Sequence, residues 1–290
     1  MSRNEGRTDV FNEMQLDADP TAPITQQNSE PAAPAMAWSV PTDFVNLPSE
    51  GIFYPAGHPL HNKTAVEIRF MTAKEEDILT SRALLKEGVA LDRMLQNIIV
   101  DNSLNLDSLL VGDKNALVVA ARVTGYGAEY ATNMTCPACT NTDEFTFDVG
   151  NPEANDFRAG IEDFEVEVTP SNTFKIELPM TKAVVECRLL TAADEKQLLK
   201  KLERNNKKKE ASGITTEQFK SFIVSVNGDD SPITKISFIN AMPARDARSL
   251  RTVYRSIVPN IDLTQDYNCD NCGYEAALEV PLDTTFFWPK

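Results

Sequence analysis

The reading of this chain turns on Cys136-Pro137-Ala138-Cys139 and Cys269-Asp270-Asn271-Cys272. Each C-x-x-C turn leads into an alternating apolar/polar stretch, Glu144-Phe145-Thr146-Phe147-Asp148 after the first and Ala276-Ala277-Leu278-Glu279-Val280 after the second. That is the form of a zinc knuckle: one tight turn offers two thiolates to a tetrahedral ion, and a second knuckle offers the other two. Paired knuckles in a ribbon stand roughly 15–20 residues apart. Here Cys139 and Cys269 are 130 positions apart (269 − 139). Either a folded unit lies between them or the pairs do not share a metal.

An internal repeat accounts for the spacing. Val66-Glu67-Ile68-Arg69-Phe70-Met71-Thr72-Ala73 aligns with Val185-Glu186-Cys187-Arg188-Leu189-Leu190-Thr191-Ala192 at an offset of 119 (185 − 66). Cys136 aligns with Cys269 at 133 (269 − 136), and the same offset matches Asp113 with Asp246, Leu117 with Leu250 and Arg122 with Arg255. The difference implies extra residues in the second copy, part of them in the basic run Lys200–Lys209, which reads as a solvated helix end and loop. Each copy reads strand, capped helix, further helices, knuckle, hairpin. The expected fold is therefore α+β, two internally duplicated lobes joined by a zinc-ribbon-like site of Cys136, Cys139, Cys269 and Cys272. Residues 41–150 and 183–290 form the lobes, 151–182 a connecting β-hairpin that extends a sheet beside the first knuckle, and 1–40 a disordered, acidic, Pro-punctuated tail with Met36 and Trp38 as a possible docking element.

Local signals fill in the lobes. Phe44 to Pro55 reads as an extended arm pinning its aromatics onto a core, with a turn at Ser49-Glu50-Gly51. Thr72-Ala73-Lys74-Glu75 is a capping box opening a helix through Ile78, Leu79, Ala83 and Leu84 to Gly88. A second helix spans 91–100, and a third runs from Asp113 to Thr124 and ends at Gly125. Phe164–Val168 and Phe174–Leu178 alternate as strands around Pro170-Ser171-Asn172. Cys187 falls in an apolar alternation and reads as core.

Composition narrows the function classes. The 290 residues carry 28 Lys+Arg against 43 Asp+Glu, a formal charge of −15. So acidic a surface repels phosphate backbones, and Asp143, Glu144, Asp148, Asp270 and Glu275 crowd the knuckles themselves. No apolar run reaches the roughly 20 residues that span a bilayer. Five cysteines are too few for a disulfide scaffold. With two histidines, His58 and His61, there is no Ser/His/Asp set, and neither a phosphate loop nor H-E-x-x-H is present; no catalytic residue is expected. A redox C-x-x-C caps a helix after a strand, whereas these pairs precede strand-like segments. A zinc-ribbon nucleic-acid binder stands as the rival class.

Leu47-Pro48-Ser49-x-Gly51-x-x-Tyr54-Pro55, Met71-Thr72-Ala73-x-Glu75-Glu76-Asp77-Ile78-Leu79, Leu110-Val111-Gly112-Asp113-Lys114-Asn115-Ala116-Leu117, Arg122-x-Thr124-Gly125-Tyr126-Gly127 and Cys136-Pro137-x-Cys139 carry a family likeness. Over about residues 44–150 the chain resembles the baseplate hub or hub-assembly proteins of T4-like contractile-tailed bacteriophages; from 185 onward the likeness rests on the repeat and the second knuckle. The resemblance implies a non-enzymatic virion-assembly role through contacts with other baseplate and tail proteins, made in the host cytoplasm and carried into the tail baseplate or ended as a chaperone. The resemblance leaves both a retained component and a tail-assembly chaperone open.

Overall fold

Strand pairing begins where the Pro-rich tail ends. In the computed structural model, which describes residues 39–208, 213–280 and 286–287, β1 (Thr42–Asn46) pairs antiparallel with β2 (Ala65–Arg69). The tail expected over 1–40, Met36 and Trp38 included, lies outside the described residues but for its last two. After β2 come α1 (Ala73–Thr80), α2 (Arg82–Glu87) and α3 (Ala90–Ile98), then α4 (Val111–Tyr126). The hairpin β3 (Glu129–Thr135) and β4 (Thr142–Asp148) follows, then β5 (Glu153–Ala154), α5 (Phe157–Asp163) and β6 (Glu167–Val168). The remainder runs β7 (Thr173–Glu177), β8 (Val184–Arg188), α6 (Ala192–Lys208), α7 (Ile214–Phe222), β9 (Ile223–Val226), α8 (Pro232–Ala241), α9 (Ala244–Ile257), β10 (Ile261–Asp262), β11 (Thr264–Asn268) and β12 (Glu275–Glu279).

The capping box forms as its spacing predicts, with the Thr72 amide donating to Glu75 Oε2 at 3.0 Å. Its helix does not run to Gly88. It breaks at Ser81, whose extended ψ of 109° ends α1 and starts α2, and Gly88 then caps α2 at a left-handed φ of 70°. The third helix overruns its expected stop: Gly125 lies inside α4 against Met71, and Gly127, at φ 86°, is the cap. Small size at Gly125 serves packing here, not termination.

Two sheets repeat one design. Thr42 faces Arg69 across β1–β2, and Thr173 faces Arg188 across β7–β8, so both hairpins share a register. Leu47-Pro48 and Leu178-Pro179 each follow the first strand; the returning loop spans residues 47–64 in one hairpin and 178–183 in the other. Thr191 then repeats the cap of Thr72, its amide donating to Asp194 Oδ2 at 2.9 Å. Ile99, just after α3, bridges Ile68, while β9, just after α7, pairs with β8. The strands expected to extend a sheet beside the first knuckle do something else. β6 is only two residues long, α5 precedes it, and β6 and β7 join the four-stranded sheet β6-β7-β8-β9.

From Val40 onward the chain forms one compact unit, and both halves feed one core. Ile68, Leu95, Leu117 and Tyr130 from the first belong with Phe174, Val185, Leu250 and Ile257 from the second. Each such fully buried aliphatic or aromatic side chain contributes roughly 1.5–3 kcal/mol. Phe53 touches Phe157 and Phe174, each at a ring distance of 5.5 Å. The Phe44–Pro55 arm is thus a brace inside the molecule: Leu47, Ser49 and Tyr54 are all buried, while Phe44 alone of its aromatics stays exposed, at 67%. Contacts cross reciprocally. The segment after the first knuckle hairpin packs α5 on α9, and Phe286, beyond the second, packs on Tyr130 at 5.0 Å. Where α4 begins, a Cβ on Gly112 would stand 2.0 Å from the Pro259 carbonyl oxygen, so only glycine admits this approach.

Candidate metal centre

Both knuckles are the tips of two-stranded hairpins, each built into its turn instead of preceding a separate hairpin. In the first, the Cys136 amide donates to the Asn141 carbonyl (2.8 Å) and the Thr140 amide to the Cys136 carbonyl (2.9 Å). In the second, Cys269 donates to Tyr274 (2.9 Å) and Gly273 to Cys269 (2.8 Å). Corresponding positions take the same left-handed backbone, φ 58° at Thr140 and 68° at Gly273. Glycine adopts this freely; a β-branched threonine does so against its steric preference, and its hydroxyl bonds the Cys139 carbonyl at 2.7 Å.

The hairpins meet tip to tip. Asp148 and Gln265 clasp their bases, the Asp148 amide donating to Gln265 Oε1 at 3.0 Å and the Gln265 side-chain amide donating back to the Asp148 carbonyl. Phe145 packs edge-on to Tyr267 at 5.2 Å. Above them the four cysteines named from sequence come together, all four Sγ atoms within 4.8 Å of one another. Cys136 Sγ lies 3.7 Å from Cys272 Sγ, and Cys139 Sγ lies 3.7 Å from Cys269 Sγ. A tetrahedron with metal–sulfur bonds of about 2.3 Å has edges of about 3.8 Å, so the donor set fits one ion bound by two thiolates from each hairpin. Cys136 and Cys269 are buried in a small cluster with Tyr267, flanked by Met134, Phe145 and Leu278; Cys272 is exposed.

Hydrogen bonds prepare these thiols unequally. The Asn271 side chain donates to Cys139 Sγ at 3.5 Å, and with the Asn141 amide it draws the Cys139 thiol down to about 6. The Cys272 and Asn271 amides lower Cys269. Cys272 receives help from the Tyr274 amide, but the Cys139 sulfur, desolvation and the sulfurs of Cys269 and Cys136 together outweigh it and push the group up to about 12. Four sulfurs this close therefore resist holding four negative charges, a resistance a divalent cation removes. Asn271 had no signal in sequence, because Ala138 stands at its matching position in the first knuckle. Cys187 takes no part: it is fully buried between strands, where burial pushes its thiol up.

The other polar clusters are closed on themselves. Buried Asp113 accepts from the Ser49 amide (3.0 Å), Ser49 Oγ (2.6 Å) and Tyr54 Oη (2.7 Å). Burial dominates there and lifts its carboxyl above the ordinary range. Asp246, at the matching position of α9, accepts from the Met180 (2.8 Å) and Thr181 (3.0 Å) amides; burial opposes these donors, but they prevail and hold the carboxyl below its usual range. His58 stacks on Tyr54 and bonds Ser108 Oγ at 2.9 Å, and His61 bonds the Tyr54 carbonyl at 2.7 Å, so both histidines serve local structure. Arg122, fully buried, donates to the carbonyls of Phe286, Gly127 and Glu129, each at 2.8 Å.

The fold and site define a mixed helix-and-sheet protein with a tetracysteine cluster at the meeting of two hairpins. Residues 54–176 match the family model of the T4 bacteriophage base plate protein. This bears out, over that segment, the likeness to T4-like phage baseplate proteins carried by Tyr54-Pro55, the Thr72 capping box, Asp113 and the first knuckle. No curated protein and no solved structure matches the chain. Among the described residues no helix is long and apolar enough to cross a membrane.

Proposed function

We propose that this chain is a non-enzymatic component or assembly factor of a phage tail baseplate hub, acting through contacts with other baseplate proteins and held in shape by one structural zinc ion. The observation that carries the zinc reading is the convergence of Cys136, Cys139, Cys269 and Cys272, all four Sγ atoms within 4.8 Å of one another and two pairs at 3.7 Å, from segments 130 positions apart. The two halves descend from one duplicated unit in this reading. It draws on the shared hairpin register, the paired caps at Thr72 and Thr191, the buried aspartates that open α4 and α9, and the equivalent knuckle turns. Zinc then staples two related lobes, 41–150 and 183–290, with 151–182 between them, and its binding free energy becomes folding free energy. The structural role draws on the baseplate match and on titratable clusters whose bonding capacity is used up internally.

Metal analysis by mass spectrometry on the purified chain, read beside its molar mass in solution, tests the staple. About one zinc per monomeric chain, lost in Cys136→Ser and equally in Cys269→Ser, is the expected result; a metal-free folded chain overturns it. Co-purification with other baseplate proteins, followed by assay of finished tails for the chain, separates a retained hub component from an assembly factor. Retention on DNA at moderate salt would point to the zinc-ribbon rival instead.

A further inference from the structure

The two matched hairpins differ along one edge. In the second, β7 has neighbours on both sides, β8 inside and β6 outside. The outward backbone groups of β7 are used: the Thr169 amide donates to the Thr173 carbonyl at 2.8 Å, Lys175 pairs with Glu167, and their side chains form an ion pair at 2.7 Å. In the first hairpin, β1 has only β2 among the described residues. The bonds from the Leu47 amide to Thr64 and from the Phe70 amide to Pro41 set the ladder phase. Positions 41, 43, 45 and 47 therefore bond inward, and Thr42, Phe44 and Asn46 turn their amides and carbonyls outward. Phe44, which matches Lys175, has its amide held by the adjacent carboxylate, Asp43 Oδ1, at 2.8 Å instead of by a strand. A neighbouring carboxylate in that role blunts an open edge while no strand is present.

The space beside that edge is shaped to receive one. A groove of about 460 Å³ runs between β1, the apolar face of α4 at Val119 and Val123, and the segment at Pro152 and Glu153. Asp43 and Glu153 make its rim acidic, and Phe44 is among the most exposed large apolar side chains described.

We infer that the β1 edge and this groove form a docking site for an extended segment of a partner protein, added as a third strand outside β1 as β6 is outside β7. The occupant alternates apolar residues, which enter the groove against Val119 and Val123, with basic residues, which meet Asp43 and Glu153. Main-chain bonds to Thr42, Phe44 and Asn46 supply affinity, and the alternate side chains supply selectivity. A second copy of this chain fits poorly, since it would set one Asp43 rim against another. The site is read from the edge itself, and it stands or falls apart from the role in the hub.

A short synthetic peptide of alternating lysine and valine serves as the probe, with the full-length chain in solution. Binding is followed by fluorescence anisotropy, and amide exchange at Phe44 and Asn46 by NMR. The free chain is expected to exchange quickly at Phe44 and slowly at the Lys175 amide, and saturating peptide is expected to slow Phe44 and Asn46. Phe44→Pro removes an outward amide and leaves the β1–β2 ladder intact, so binding should be lost. Asp43→Lys places like charge on the rim and should weaken binding about tenfold; it also reports on the site should Phe44→Pro fail to fold. Unchanged peptide affinity in Asp43→Lys, no protection at saturation, or a Phe44 amide already protected in the free chain each overturn the proposal.

Discussion

Asp113 and Asp246 occupy matching places, near the start of α4 and α9, and both are fully buried. They are satisfied by different chemistry. The first is held by one backbone amide and two hydroxyls from the 47–64 loop. The second is held by two backbone amides in a six-residue return, residues 178–183. In both halves a carboxylate ties the hairpin loop to the core helix. At Asp113 burial outweighs the bonds from Ser49 and Tyr54 and raises the carboxyl, whereas at Asp246 the two amides of the shorter loop prevail over burial and lower it. One architectural need is met twice, and only the buried acceptor is common to both.

The comparison breaks first at the shared centre. Cys136→Ser and Cys269→Ser are expected to cost the most, because structural zinc sites carry about 10–16 kcal/mol of binding free energy into folding. Thermal unfolding with and without chelator should show the two variants equally impaired and insensitive to chelator. Next comes the arginine pair. Arg122→Ala removes three hydrogen bonds to main-chain carbonyls, that of buried Phe286 among them, and empties the space of a fully buried side chain, and should lower stability by about 4 kcal/mol. Arg255→Ala, at an exposed matching position, should stay within about 0.5 kcal/mol in urea unfolding. Equal losses at both would break the asymmetry.

Smaller effects sharpen the aspartates. Asp113→Asn strands a donor against Ser49 and Tyr54 and should cost about 3 kcal/mol, while Asp246→Asn, opposed to two amides, should cost about 2 kcal/mol. Their pH dependence should run in opposite directions. Asp246, lowered in the folded state, stabilises above its unfolded value of about 3.9 and loses that contribution as pH falls through the folded value. Asp113, raised in the folded state, contributes fully below about 3.9 and loses its contribution as pH rises through its folded value. Carboxyl carbon shifts followed by NMR titration read both signs directly. The mildest test is acid on the second cap. Burial would raise Asp194, but Arg188 and Thr191 hold it at about 2, so stability from this cap should fade between about pH 4 and pH 2. Asp194→Asn should remove that slope.

The four converging cysteines, both capping boxes and the hairpin alternation were legible because each is a local pattern with its own spacing. Asp113 and Asp246 were visible only as a matched pair, since nothing beside them in the chain names Ser49 or the Met180 amide as partners. The break at Ser81 was hidden because apolar periodicity continues from Ile78 and Leu79 to Ala83 and Leu84 across it. Helix α5 escaped notice because Phe157–Asp163 is short and has only Asp156 as a capping signal. The placement of β6 and β7 with β8 depends on which edge lies open after folding, a property no stretch of sequence carries alone.

The Phe286 carbonyl accepts from Arg122 Nε, a bond that spans 164 positions of chain. During synthesis the guanidinium is made long before its acceptor, just as Cys136 and Cys139 are made long before Cys269 and Cys272. The first half is therefore translated with a charge and two thiols whose partners do not yet exist, and those contacts close only after the second knuckle and Phe286 have been made. Folding of the first half is thereby coupled to synthesis of the second.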